Sequence, residues 1–202
     1  IRESRVIALP DGSKLHLGPQ SLVALDFAEK RAVSLLEGEA FFEVEPMPDR
    51  PFVVTAHGVS TTVLGTAFNV RTGDDSVDIA VEHGHVRVNS TAMAEGRELL
   101  AGDMVNVNGD GMVMRQQIAP SLVGSWRHGQ LIAKDQAFSE MVETIGRYYD
   151  GWVVIADEDL AKKPLTGFYD LTDPVAALHA MADAQGGEIQ QVSPWLLIIS
   201  SK

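Results

Sequence analysis

Cysteine is absent from the 202 residues, which excludes disulfides, thiolate metal sites and thiol nucleophiles together. Aromatic residues make up only 6%, so the position of each tryptophan carries weight; Trp126, Trp152 and Trp195 all lie in the last two-fifths of the chain. Positive charge is scarce: 16 Lys and Arg stand against 28 Asp and Glu, a formal net charge of −12. The deficit is spread along the chain. Residues 1–126 hold 17 acids and 10 bases, and residues 127–202 hold 11 acids and 6 bases. With no basic module to meet a phosphate backbone, nucleic-acid binding is not expected. No apolar run approaches the roughly 20 residues that span a bilayer as a helix; residues 195–199 form a run of strand length only. There is no signal-peptide pattern and the chain opens at Ile1, so it reads as a piece of a longer protein.

What is present changes character along the chain. Up to residue 118, short apolar runs such as Leu15-His16-Leu17, Ala40-Phe41-Phe42-Glu43-Val44 and Phe52-Val53-Val54 alternate with turn dipeptides such as Asp11-Gly12 and Asn108-Gly109. No stretch before Pro120 keeps helical spacing over three turns, so residues 1–118 are expected to be all-β. Gly12, Gly38, Gly58, Gly84 and Gly102 recur along it, and the sequences around Gly38, Gly84 and Gly102 share a pattern of polar residue, glycine, polar residue and strand. Glycine corners at such intervals suit a solenoid-like stack; a sandwich with glycine hairpins is the alternative.

Residues 119–126 read as a linker, and residues 127–202 as a small α+β domain. Phe138, Met141, Val142, Ile145, Tyr148 and Tyr149 trace one helical face. Asp173-Pro174 reads as an N-cap and first helical position, followed by a stripe of Val175, Leu178, Met181 and Ala182 and a stop at Gly186-Gly187. Strands are expected at residues 131–133, 152–156, 165–169, 188–192 and 195–199. Together these predict two helices on one face of a short open sheet.

Little in the chain points to catalysis. His83-Gly84-His85 has ligand-like spacing, but Asn89 and Ser90 stand where a metal-binding jelly roll would place a carboxylate, so the pair reads as a solvated turn. Gly58-Val59-Ser60 lacks the closing glycine of a nucleophile elbow. His128 and His179 stand in no recognisable ligand or triad pattern, and Asp157-Glu158-Asp159 reads as a solvated loop. No catalytic residue, metal or cofactor is expected. The remaining feature is an open sheet edge with aromatics, able to take a partner strand. Phe168, Tyr169, Trp195, Leu196 and Ile198 are the candidate partner contacts. Trp152 and Phe168 are read first as packing the sheet against its helices, whereas Tyr169 and Trp195 divide evenly between core and anchor.

Several blocks carry a family likeness. Leu9-Pro10-Asp11-Gly12-Ser13, residues 35–44, Arg50-Pro51-Phe52-Val53-Val54, Leu64-Gly65-Thr66-Ala67-Phe68-Asn69-Val70, and Trp126 through Gly129 to Leu131 occur in order. The chain resembles the periplasmic region of FecR-type sigma-factor regulators, and residues 127–202 resemble the short secretin/TonB N-terminal-type module. The resemblance implies an anti-sigma factor held in the inner membrane by a single span outside these residues. It implies a signal from the signalling domain of a TonB-dependent outer-membrane transporter, and an extracytoplasmic-function sigma factor as the cytoplasmic partner. Control of iron-uptake genes would follow. A module that binds an iron chelate or glycan directly is the alternative, and should show convergent polar and aromatic groups in a pocket.

Overall fold

Apolar alternation interrupted by glycine turns produces strands, and the strands pair in a regular order. In a computed structural model, which describes residues 4–202, β1 (Arg5–Ala8) and β2 (Lys14–Leu17) form a hairpin in one sheet, and β3 (Leu22–Asp26) and β4 (Arg31–Glu37) form one in a second. The chain crosses back for β5 (Glu39–Glu43) and returns to the second sheet for β6 (Phe52–Ala56) and β7 (Val59–Val63). It crosses again for β8 (Ala67–Thr72) and β9 (Ser76–His83). β10 (His85–Ser90) and β11 (Arg97–Leu100) then complete the second sheet, and β12 (Asp103–Asn108) and β13 (Val113–Gln117) complete the first. The first sheet runs β1-β2-β5-β8-β9-β12-β13 and is antiparallel throughout. The second runs β3-β4-β6-β7-β10-β11, with β4 and β6 parallel.

Leu15, Phe42, Phe68, Ile79 and Val105 of the first sheet and Val33, Phe52, Val54, Val86 and Val88 of the second belong to one buried cluster. Phe42 stacks on Phe68 at 5.1 Å between centroids and meets Phe52 edge-on at 6.0 Å, two of the arrangements aromatic rings prefer. The two architectures weighed from the sequence thus meet: the layers are a sandwich, while the chain climbs from sheet to sheet as a solenoid does. The repeated glycine pattern marks the crossings, since Gly38, Gly84 and Gly102 stand between strands of different sheets with φ of 93°, 91° and 88°. At Gly38 a Cβ would also lie 2.6 Å from Ser21 Cα, so neither the backbone nor the space admits another residue without strain.

The chain divides into two compact units, one ending at Gly124 and the other running Ser125–Lys202. Residues 119–126, expected as a linker, include a 3₁₀ turn at Pro120–Leu122 and the start of another at Ser125–His128, with Val123 and Trp126 buried.

The second unit contains β14 (Gln130–Ala137), α1 (Phe138–Gly146), β15 (Trp152–Ile155), α2 (Glu158–Ala161), β16 (Pro164–Asp170), α3 (Pro174–Ala184), β17 (Gly187–Ser193) and β18 (Leu196–Ser201). Phe138, Met141, Val142 and Ile145 are buried on α1 as the spacing predicts, but the helix ends at Gly146 and the two tyrosines lie beyond it. Asp173 caps α3 by accepting from the Ala176 amide at 3.0 Å, with Pro174 in the first turn. Leu178, Met181 and Ala182 are buried there, whereas Val175 is exposed, contrary to its place in the expected stripe. Asp157-Glu158-Asp159 is not a loop: Asp157 caps the single-turn α2, accepting from the amides of Asp159 and Leu160.

The expected single sheet with helices on one face is replaced by two sheets. β14 pairs with β16, and β15, β18 and β17 form a separate three-stranded sheet in which β15 is parallel to β18. Helices α1 and α3 each contact strands of both sheets, so the helices form a middle layer. A helix with Phe138, Met141, Val142, Thr144 and Ile145 all buried has a stripe wide enough to need cover on two sides.

Candidate functional site

Of the candidate contacts, Phe168, Leu196 and Ile198 lie on the outward faces of these two small sheets, Tyr169 lies on the inner side of its strand, and Trp195 just precedes β18. Along β15 the side chains alternate: Val153 and Ile155 are half-buried toward the helices, and Trp152 and Val154 face out. Trp152 is 77% exposed. Parallel pairing sets Trp152 beside Leu196 and Val154 beside Ile198, so these four residues form an apolar strip on the outer face. Leu196 and Ile198 are half-buried, while Leu197 and Ile199 between them are fully inside. The expectation that Trp152 packs against the helices is therefore wrong. A run of Trp-Val-Val-Ile reads as a buried strand, but on an edge strand with helices on one side, half of the run must face out.

Trp195 stands just before β18 and is 64% exposed, which removes it from the core. Its backbone is held tightly: Trp152 N donates to Trp195 O at 2.7 Å, and Trp195 N donates to Ser193 Oγ at 3.2 Å. The Tyr149 hydroxyl donates to Pro194 O at 3.1 Å, bracing the same turn. Gly151 makes this approach possible, because a Cβ there would lie 2.5 Å from both Trp195 O and Tyr149 Cε1. An exposed indole thus sits on an ordered backbone.

On the two-stranded sheet, Phe168 is 71% exposed opposite Ile132, again contrary to the packing expected of it. Tyr169 points to the other side and is half-buried; a Cβ on Gly167 would lie 2.8 Å from its hydroxyl, so the ring lies over that glycine. Burial raises the Tyr169 phenol above its ordinary pKa. Phe168 and Tyr169 line an open groove of about 420 Å³ with His128, Gln130, Asp170 and Thr172. Hydrogen bonds from the Thr172 hydroxyl and amide hold the Asp170 carboxyl below the usual range. The five candidate contacts therefore occupy two patches on different sheets.

The β-unit supplies a different kind of constellation. Arg31, at the start of β4, is fully buried. Its Nε donates to Asp11 at 2.7 Å, Nη1 to Arg50 O at 2.8 Å and Nη2 to Glu45 O at 2.8 Å, and its guanidinium lies 5.4 Å from the centroid of the Phe52 ring. Ser13 joins them by donating to Asp11 and accepting from the Glu45 amide. Burial pushes the Asp11 carboxyl up, but the hydrogen bonds from Arg31 and Ser13 and the charge of Arg31 outweigh it, and the net direction is down. Asp103 follows the same logic: burial opposes, while Arg115, the Leu100 amide and Gln117 prevail and lower it. His85 contacts Glu98 at 2.6 Å, and His83 is exposed. Among the described residues no three His, Asp or Glu side chains come together as metal ligands.

Arg31 therefore gathers the Asp11-Gly12-Ser13 turn, Glu45 just past the Phe41–Val44 block, and the Arg50-Pro51-Phe52 block at one point. Those are the blocks that carry the family likeness, and residues 2–87 match the model of the FecR protein family. This stretch is thus similar to the FecR family. Two crystal structures, each of a putative anti-sigma factor from Parabacteroides distasonis, are similar to the whole chain. One is 24% identical with a TM-score of 0.89, the other 25% identical with a TM-score of 0.88. Each comparison covers 99% of this chain and 95% of the other. No curated relative matches in sequence. The likeness in fold thus extends beyond residues 2–87 and through the second unit.

Proposed function

We propose that the chain is the periplasmic sensing part of a sigma-factor regulator, an anti-sigma factor anchored in the inner membrane by a span outside these residues. The observation that carries this reading is the FecR-family match over residues 2–87, joined to a shared fold with putative anti-sigma factors across nearly the full length. The role is regulatory rather than catalytic. Its input is the signalling domain of a TonB-dependent outer-membrane transporter, received by the Ser125–Lys202 unit, which resembles the short secretin/TonB N-terminal module. Its output is an extracytoplasmic-function sigma factor engaged by a cytoplasmic part, with iron-uptake genes as the regulated set. The exposed aromatics support a receiving role for the second unit. Phe168, Trp152 and Trp195 are solvent-facing in a chain poor in aromatics, and aromatics dominate the energetics of protein interfaces.

The test is a pull-down with the signalling domains of all TonB-dependent transporters from the same cell, paired with a sigma-dependent reporter. One domain is expected to bind, and the reporter is expected to lose its response when this chain is deleted from the regulator. Absence of binding by every domain, together with an unchanged reporter, overturns the proposal.

A further inference from the structure

Phe168 and Asp170 share a face of β16. They stand two residues apart on one strand, so their side chains rise about 6.6 Å apart on the same side of the two-stranded sheet. Antiparallel pairing sets Gln130 of β14 opposite Asp170, on that same side. With His128 and Thr172 these three line the open groove of about 420 Å³ where β14 begins and β16 ends. That volume lies in the range of roughly 300–1,000 Å³ found for small-molecule sites.

The polar groups of the groove are fixed in place but not used up. Asp170 Oδ1 accepts from the Thr172 amide at 2.8 Å and from its hydroxyl at 2.7 Å, which sets the plane of the carboxylate. Oδ2 takes no hydrogen bond among the described residues, and neither do the side chains of Gln130 and His128. Leu171 N donates to Gly129 O at 2.8 Å and ties the two segments of the rim together. Gly129 has a φ of 74°, and a Cβ there would lie 3.0 Å from Thr172 Cγ2, so glycine lets the rim close. Beside these groups the Phe168 ring is 71% exposed and forms an apolar platform.

The chemistry of the lining narrows the ligand. No Lys or Arg lines the groove, so nothing there neutralises an anionic group such as a phosphate. A cation would need acceptors alone, whereas the Gln130 amide and the His128 imidazole donate as well as accept. Groups that both donate and accept, carried on an apolar frame, are what such a lining can satisfy.

We propose that this groove binds a neutral saccharide, with one sugar ring lying against Phe168 and its hydroxyls bonded to Asp170, Gln130 and His128. A hydroxyl donates to Asp170 Oδ2, and a neighbouring one accepts from the Gln130 amide. The C–H groups on the sugar's face meet the negative face of the phenyl ring. Trp152 and Trp195 do not line the groove, so a protein partner seated on them would leave it open. The inference stands on the groove alone and does not depend on the regulator reading.

The test titrates the whole 202-residue chain with four neutral disaccharides, maltose, cellobiose, lactose and N,N′-diacetylchitobiose, followed by two-dimensional NMR. At least one is expected to bind with a dissociation constant of about 10 mM or tighter, shifting the amides of Gln130, Phe168 and Asp170. Phe168→Ala should weaken it about tenfold with an unchanged melting temperature, because the ring is exposed. Asp170→Asn keeps an acceptor for Thr172 and should also weaken it about tenfold, the loss of a charge-assisted hydrogen bond. Trp152→Ala should leave the affinity unchanged. Failure of all four sugars to bind at about 10 mM overturns the proposal, as does binding that survives Phe168→Ala or is lost in Trp152→Ala. Tighter binding of arginine amide or inorganic phosphate than of any disaccharide overturns it too, since the groove would then be an ion site.

Discussion

Arg31 and Asp11 form an ion pair at 2.7 Å in which the arginine side chain is 0% exposed and the aspartate 2%. They lie 20 residues apart, in a hairpin turn and at the start of a strand in the opposite sheet, so the pair fastens one sheet to the other. Every nitrogen of the guanidinium has an acceptor among Asp11, Ser13, Glu45 and Arg50. A buried charge tolerates its position only when satisfied in this way.

Replacing Arg31 by methionine should therefore cost about 3–5 kcal/mol, since it leaves the Asp11 carboxylate buried and unpaired. Adding Asp11→Ala to Arg31→Met should recover part of that loss. Denaturant unfolding of the two single variants and the double variant measures the coupling. An Arg31→Met loss below about 1 kcal/mol would show that the pair is not what fastens the sheets.

Acid should loosen the β-unit through the same groups. Asp11 and Asp103 have folded-state values below their unfolded ones, so near the ordinary carboxyl range the unfolded chain binds more protons than the folded one. Their stabilisation is complete above the unfolded pKa of about 4 and is lost as pH falls through the lower folded values. Thermal melts should show this contribution flat from neutral pH down to about 5 and declining below about 4. Asp11→Asn should lower the plateau and make the acid decline shallower. An unchanged acid slope in Asp11→Asn would contradict the assignment.

The aromatic patches separate folding from recognition. Trp152→Ala and Trp195→Ala remove exposed side chains and should change stability by no more than about 0.5 kcal/mol. Tyr149→Phe removes the hydroxyl that braces Pro194 and should cost about 1 kcal/mol. If the exposed tryptophans anchor a partner, each alanine variant should lose about 2 kcal/mol of binding while melting normally. A large drop in melting temperature for Trp195→Ala would return that residue to the core.

The glycine corners can be tested in pairs. Gly58 has positive φ but open space around it, so Gly58→Ala should cost about 1–2 kcal/mol, the left-handed penalty alone. Gly38→Ala adds a clash with the Ser21 backbone and should cost more than about 3 kcal/mol. Equal costs would mean that the corner relaxes freely.

The corners were legible because a glycine between a polar residue and a strand is a local signal, and the cap at Asp173-Pro174 was legible for the same reason. Arg31 was not. No local pattern singles it out, and its acceptors come from residues 14–20 positions away. The division of the second unit into two sheets was equally hidden, since it depends on β15 choosing β18, which lies beyond two helices and two strands. Trp152 followed from that choice. Its exposure is decided by which neighbour and which helix its strand receives, and nothing in residues 152–155 encodes it. The FecR likeness was readable because its blocks are short, ordered and rich in turn residues, yet the arginine that draws two of them together lies outside every block.

In both sheets of the first unit the strands stand in the order of their synthesis: β1, β2, β5, β8, β9, β12, β13 in one and β3, β4, β6, β7, β10, β11 in the other. No later strand is inserted between two earlier ones. A chain that emerges N-terminus first, from a ribosome or through a translocation pore, can therefore lay each new strand on a rim that already exists. The rim advances as the polypeptide lengthens, and no partial product has to open again once it has closed.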